Sequence, residues 1–270
     1  MADEVGRPEA IGIIIHSVSL VMNNCGVLLK LLLVTLVAMA VTVTPWLVGA
    51  SVSGISIGNA ETVKNIPLPF ALWGGGTTLI GFCIFVIFYA SVVAYTCERF
   101  RGRDLTIKKA IDKGIKTLLP LLITTFIIFI FLMLLSGFSF LILSTIHFKL
   151  ISDVTYTPLV VVVITIVLGI YLYLRWGVVG QVVVAEGIVG FKALKRSAFL
   201  MKNNMWSLFF IQAFFVICSV SIRLSVNMLE NSAVIVVVDG IAQILLFFLS
   251  VTSHTILYLR SKQRYNESQG

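Results

Sequence analysis

Nine ionisable residues stand where charge in this chain is either costly or useful. Lys108, Lys109 and Lys113 lie in "RGRDLTIKKAIDKG", residues 101–114, and Lys192, Lys195 and Arg196 in "EGIVGFKALKRSAFLMKNN", residues 186–204. Read as a helix, the second stretch places Phe191, Leu194, Ala198, Met201 and Met205 on one face at three- and four-residue steps. Lys192, Lys195, Arg196 and Asn203 fall on another. Such a helix lies in the membrane interface. Its apolar face rests at the acyl boundary, and each cation near anionic headgroups contributes about 1 kcal/mol. Arg175, Arg223 and Asp239 fall inside long apolar runs, where an ionisable side chain is expensive and needs a partner or a task.

Arg223 and Asp239 lie on either side of "LENSA", eight positions from Asn231, so antiparallel neighbours would carry them at similar depth. They form a candidate ion pair that can position a hairpin or line a polar path. Alternatively, Arg223 snorkels to the interface. Arg175 either snorkels, meets another span or holds a lipid phosphate. His254, with Ser250, Thr252, Ser253 and Thr255 nearby, reads as a packed histidine ahead of a proton relay. The four cysteines, Cys25, Cys83, Cys97 and Cys218, are scattered singly, so neither a disulfide framework nor a zinc site is expected. HExxH, GxSxG and a carboxylate cluster are all missing, and His16, His147 and His254 fall on different parts of the chain. The expectation is no enzyme, no cofactor and no metal.

The elements that must carry these residues follow from composition. The chain is 59% hydrophobic and 12% charged over 270 residues, whereas soluble domains have roughly a quarter charged. Six stretches, near 27–49, 71–96, 118–144, 158–184, 206–229 and 233–258, reach the about 20 residues that a helix needs to cross a bilayer. The first is too long for a signal-peptide core and is expected to persist. The fold class is therefore an all-α integral membrane protein with six transmembrane helices. Of the 20 Lys and Arg, all but Lys64, Lys149 and Arg223 fall on one side of this topology. The positive-inside rule then makes both termini cytoplasmic, in a cell (plasma or inner) membrane. The net charge of +8 has that origin, so nucleic acid is not an expected partner. In "WGGGTT", 73–78, with Gly81, small residues would let backbones approach. Pro120 suits the first turn of the third span.

Internal similarity suggests how the chain is built. At a shift of 88 residues, Glu98, Gly102, Lys108 and Ala110 lie over Glu186, Gly190, Arg196 and Ala198. At a shift of 180, "HSVSLVMNN", 16–24, lies over "RSAFLMKNN", 196–204, matching Ser17, Leu20 and Asn23-Asn24 with Ser197, Leu200 and Asn203-Asn204. Three units, 10–96, 98–184 and 186–260, each an interfacial helix followed by a membrane hairpin, would account for both. A polar tail, 261–270, follows.

Residues 182–214, "VVVAEGIVGFKALKRSAFLMKNNMWSLFFIQAF", resemble the membrane domain attached to some bacterial glycerophosphodiester phosphodiesterases and the related stand-alone six-helix membrane proteins. The resemblance rests on Glu186, Gly187, Ala193, Leu194, Lys195, Arg196 and Ser197, and 101–114 is similar to the corresponding earlier segment. It implies a six-helix membrane domain tied to phospholipid or envelope homeostasis, and it brings no catalytic residues. Three functions are open at this point: a non-enzymatic protein of membrane or lipid organisation with anionic-lipid contacts, a small transporter or channel subunit using Arg175, Arg223 and Asp239, or a scaffold for membrane-protein partners or a homo-oligomer.

Overall fold

A computed structural model describes residues 6–34, 36–37, 68–149, 157–226 and 232–268. The described residues form helices and no strand: α1 Gly6–Asn23, α2 Cys25–Val34, α3 Leu68–Phe100, α4 Ile107–Lys149, α5 Thr157–Trp176, α6 Val179–Glu186, α7 Phe191–Met201, α8 Met205–Val226 and α9 Ser232–Glu267. Five spans among them are long and apolar enough to cross a membrane, and up to six if the bent pair Glu9–Asn23 and Cys25–Val34 counts as one. The chain is an all-α, multi-pass membrane protein. Most of the expected first span, residues 50–67 of the expected loop, the side chain of His147 and the turn around Asn231 lie outside the described residues.

By contact the chain divides into two compact units. The smaller, Met22–Leu118, is centred on α3, where every residue from Ala90 to Cys97 is buried. Of the glycines around "WGGGTT", the surroundings of Gly74 and Gly75 lie outside the described residues, and a close helix approach is seen at another glycine. A Cβ on Gly76 or Gly81 would meet nothing within 4 Å, whereas one on Gly114 of α4 would lie 2.5 Å from Ser91 Oγ and 2.6 Å from the Ile87 carbonyl oxygen of α3. Gly114, inside a basic stretch, lets two backbones touch. The Tyr95 hydroxyl donates to Asn24 Oδ1 at 2.9 Å, tying α3 to the start of α2.

The larger unit comprises Met1–Val21 and Leu119–Gly270. Its centre is α9, buried from Val251 to Leu259. The Ser253 hydroxyl donates to Ser17 Oγ of α1 at 2.9 Å. His254 is buried, with Nδ1 2.7 Å from the Ser250 carbonyl oxygen one turn earlier; its buried Nε2 has no hydrogen-bond partner among the described residues, so it is packed but not fully satisfied. Around this centre α4, α5 and α8 turn large apolar side chains outward, among them Phe126, Phe138, Val167 and Ile217. In a membrane those faces meet lipid.

Two continuous expectations break and one expected break is continuous. The fourth span remains one crossing segment, Val162–Glu186, but its helix is interrupted between Trp176 and Val179, where a Cβ on Gly177 would sit 2.5 Å from Leu208 Cδ2. Residues 186–204 are likewise more than one helix. Gly187 and Gly190, at φ 69° and 67°, reverse the chain in a backbone region that side-chain-bearing residues avoid, and only then does α7 begin. Conversely, the basic segment expected as a separate interfacial helix runs without interruption into the third span as the 43-residue α4, with Pro120 inside it rather than in a first turn.

At the 180-residue shift the burial patterns agree at eight positions, with Leu194 and Ser207 buried over the half-buried Ile14 and Val27. Ala10, Ile13, Ser17, Leu20, Val21, Asn24, Leu28 and Leu31 are buried, and so are Gly190, Ala193, Ser197, Leu200, Met201, Asn204, Leu208 and Ile211. Each series runs through an Asn at a helix joint. Asn24 precedes α2, whose Leu28 N–H bonds the Asn24 carbonyl at 3.2 Å, and Asn204 precedes α8, whose Leu208 N–H bonds the Asn204 carbonyl at 3.1 Å. Asn is a preferred residue at such starts. At the 88-residue shift, Gly102 and Gly190 both have positive φ. The following helices then slip by four residues, because α4 starts at Ile107 and α7 at Phe191.

Candidate functional site

The site is built around α7 and the acid that precedes it. Glu186, the last residue of α6, lies just before the glycine-bounded reversal and is held from three directions. The Tyr258 hydroxyl donates to Oε1 at 2.8 Å, Lys262 Nζ lies 2.9 Å from Oε1, and Arg196 Nε donates to Oε2 at 3.2 Å. The carboxylate is 10% exposed and its two cations 24% and 27%. The cations also lie over rings, Arg196 above Tyr265 at 5.0 Å and Lys262 above Tyr258 at 5.9 Å. Such contacts stabilise a partly desolvated cation. Glu186 therefore fastens α7 to α9.

Further contacts set the pitch of α7. Arg175 donates through Nη1 to the Ala198 carbonyl at 3.0 Å and through Nε to the Tyr171 hydroxyl at 3.0 Å. The Ser197 hydroxyl returns a bond to the Arg175 carbonyl at 3.2 Å. At the other end of the helix, the Gly190 N–H donates to Thr124 Oγ1 of α4 at 3.0 Å. The buried face that results is Ala193, Leu194, Ser197, Leu200 and Met201. It is rotated from the expected one, and Phe191 is 64% exposed, because the Glu186–Arg196 bond draws the Arg196 side inward.

This geometry divides the sequence candidates. Lys192 and Lys195 are exposed on α7, while Arg196 is half-buried and spends Nε on Glu186, which gives it a structural partner and leaves Nη donors among its five. In the smaller unit Lys108 and Lys109 are exposed at the start of α4 and Lys113 is half-buried. Arg175 is internal glue for α7. Arg223 and Asp239 do approach each other, at 4.0 Å. Asp239 also accepts from Gln243 Nε2 at 3.1 Å, and Gln243 Oε1 accepts from the Ser219 hydroxyl at 2.9 Å, so the pair belongs to a polar ladder between α8 and α9.

A family model described as a domain of unknown function (DUF8558) matches residues 76–268, well over half of the chain. The chain belongs to the DUF8558 family. The DUF8558 match takes in Glu186, α7 and all nine ionisable candidates, and it leaves out α1 and α2. Neither the curated proteins nor the solved structures include a match to the chain.

Sequence reading missed the partners rather than the residues. Tyr258 and Lys262 lie 72 and 76 positions after Glu186, so no local pattern links them. The available signal was Glu186 itself, an acid closing a long apolar run and followed by two glycines within four residues. Asn204 was noted for its repeat of Asn24. Its role in the joint, donating to Ser261 Oγ at 2.9 Å and to the Leu200 carbonyl at 3.1 Å, depends on α9.

Proposed function

We propose that this is a non-enzymatic membrane protein that holds anionic lipid on its basic interfacial helices and supports membrane or lipid organisation, with both termini on the cytoplasmic side of the cell membrane. The observation that carries the reading is α7. It is a separate helix between two spans, with one face buried in the protein and Lys192 and Lys195 exposed on the other side. Exposed lysines at the start of α4 supply a second basic surface of the same kind. The resemblance of residues 182–214 to the membrane domain of glycerophosphodiester phosphodiesterase fusions supports a tie to phospholipid homeostasis. The coincident burial at the 180-residue shift supports a chain built from repeats of interfacial helix and hairpin.

Transport through Arg175, Arg223 and Asp239 is the weaker reading, since the described contacts of Arg175 serve α7 and those of Asp239 join α8 to α9. Scaffolding shares the features of the leading reading but predicts no lipid preference.

Native mass spectrometry of gently extracted protein is the test. Wild type is expected to retain anionic phospholipid that a Lys192→Gln, Lys195→Gln variant loses, with roughly a fivefold affinity drop per charge removed. Equal adducts on both proteins would sink the reading.

A further inference from the structure

Beside the Asn204 joint is a cavity of about 400 Å³ that neither the Glu186 cluster nor the α7 lysines occupy. Lys202, Asn203, Asn204, Ser261, Arg264 and Tyr265 line it. We propose that this cavity binds the phosphodiester headgroup of an anionic phospholipid. The assignment rests on the anionic-lipid reading above and gives it a specific pocket.

Four features support the assignment. The lining contains two cations and no carboxylate. Lys202 and Asn203 are exposed and, among the described residues, have no side-chain bond or ion pair, so their donors face the cavity or its mouth uncommitted. Arg264 uses Nη1 on Asn204 Oδ1 at 3.3 Å and Nη2 on Glu9. A guanidinium has five N–H donors, so others remain for an anion, and the two engaged ones fix its position. Behind it the floor is already organised, because Asn204 and Ser261 are buried and bonded to each other. A rigid, satisfied floor with free donors at the rim suits an anion that arrives and leaves.

The surroundings favour a lipid as the source of that phosphate. Phe199, which packs edge-on against Tyr265 at 5.2 Å, also borders the cavity and is half-exposed. Two residues beyond Asn204, Trp206 is 70% exposed at the start of the α8 span. Exposed Trp and Tyr mark the headgroup level of a bilayer. A cavity of about 400 Å³ falls in the range of small-molecule sites. It can take a phosphate with its glycerol, while the acyl chains stay among the exposed apolar side chains outside. A soluble phosphomonoester would offer a phosphate of higher charge but would gain nothing from Phe199.

The experiment titrates dioleoyl-phosphatidylglycerol against detergent-solubilised full-length protein by native mass spectrometry, with dioleoyl-phosphatidylcholine as the zwitterionic control. Wild type, Lys202→Ala, and Lys192→Gln with Lys195→Gln are compared. Lys202 is exposed, so its removal should leave thermal stability unchanged, and a melting curve on the same preparation checks that. The expected result is that Lys202→Ala weakens the tightest phosphatidylglycerol site roughly fivefold, while the α7 variant loses only weaker adducts. An unaltered tightest site in Lys202→Ala, together with adduct loss in the α7 variant, would overturn the pocket and leave the proposed function standing. Loss of neither would overturn both. Displacement of phosphatidylglycerol by equimolar glycerol 3-phosphate would overturn the lipid as the source.

Discussion

Glu186→Gln is expected to destabilise the larger unit by about 3 kcal/mol, read as a drop of several degrees in the melting temperature of the detergent-solubilised protein. The amide can still accept from the Tyr258 hydroxyl, so the loss isolates charge. Arg196 and Lys262, only 24% and 27% exposed, would lose the one carboxylate that neutralises them among the described residues. Breaking a fully buried pair from one side costs about 3–5 kcal/mol; the partial exposure of both cations puts this case at the lower end. Combining Glu186→Gln with Lys262→Met should recover part of the loss, because it removes one stranded charge. A single variant that melts with wild type would mean that water, not protein, balances these cations, and the fastening of α7 to α9 would have to be sought elsewhere.

Gly114→Ala is the second large effect. Alanine is intrinsically the better helix former by about 1 kcal/mol, so the sign depends on space. The new methyl would lie 2.6 Å from the Ile87 carbonyl oxygen and 2.5 Å from Ser91 Oγ. The carbonyl is backbone, and the serine hydroxyl is itself bonded to that carbonyl at 2.7 Å, so neither can swing aside. α3 and α4 must move apart, and overpacking of this kind costs about 1–3 kcal/mol or more. Set against the propensity gain, a net loss of about 1–2 kcal/mol is expected. Gly81→Ala is the control: with nothing within 4 Å of its Cβ, it should be neutral or slightly stabilising. Equal melting of the two variants would remove the case for a tight α3–α4 crossing.

These residues show what could be read from the chain and what could not. Membrane helices were legible because hydropathy over about 20 residues is a property of a segment by itself. The Arg223–Asp239 approach was legible for a related reason, since a short hairpin makes distance in sequence a measure of depth. The repeat of Ser17, Leu20 and Asn24 in Ser197, Leu200 and Asn204 was visible as letters, and its burial pattern gives those letters a packing meaning. Gly114 was missed because a glycine among lysines carries no mark of what lies opposite. The orientation of α7 was misjudged because periodicity finds an apolar face but cannot weigh it against an ion pair made by Arg196 across a glycine turn. Pro120 was assigned to a helix start on local preference, while the helix around it is set by its apolar length.

The unbroken course of α4 also has a geometric consequence. A helix of 43 residues is about 65 Å long, roughly twice the hydrocarbon thickness of a bilayer, so it cannot lie wholly within the apolar layer. The α7 helix cannot yield by itself, because Glu186 holds it to α9, Arg175 to α5 and Thr124 to α4, and Asn204 is bonded to Ser261. A load on its lysines is therefore shared by the whole of the larger unit.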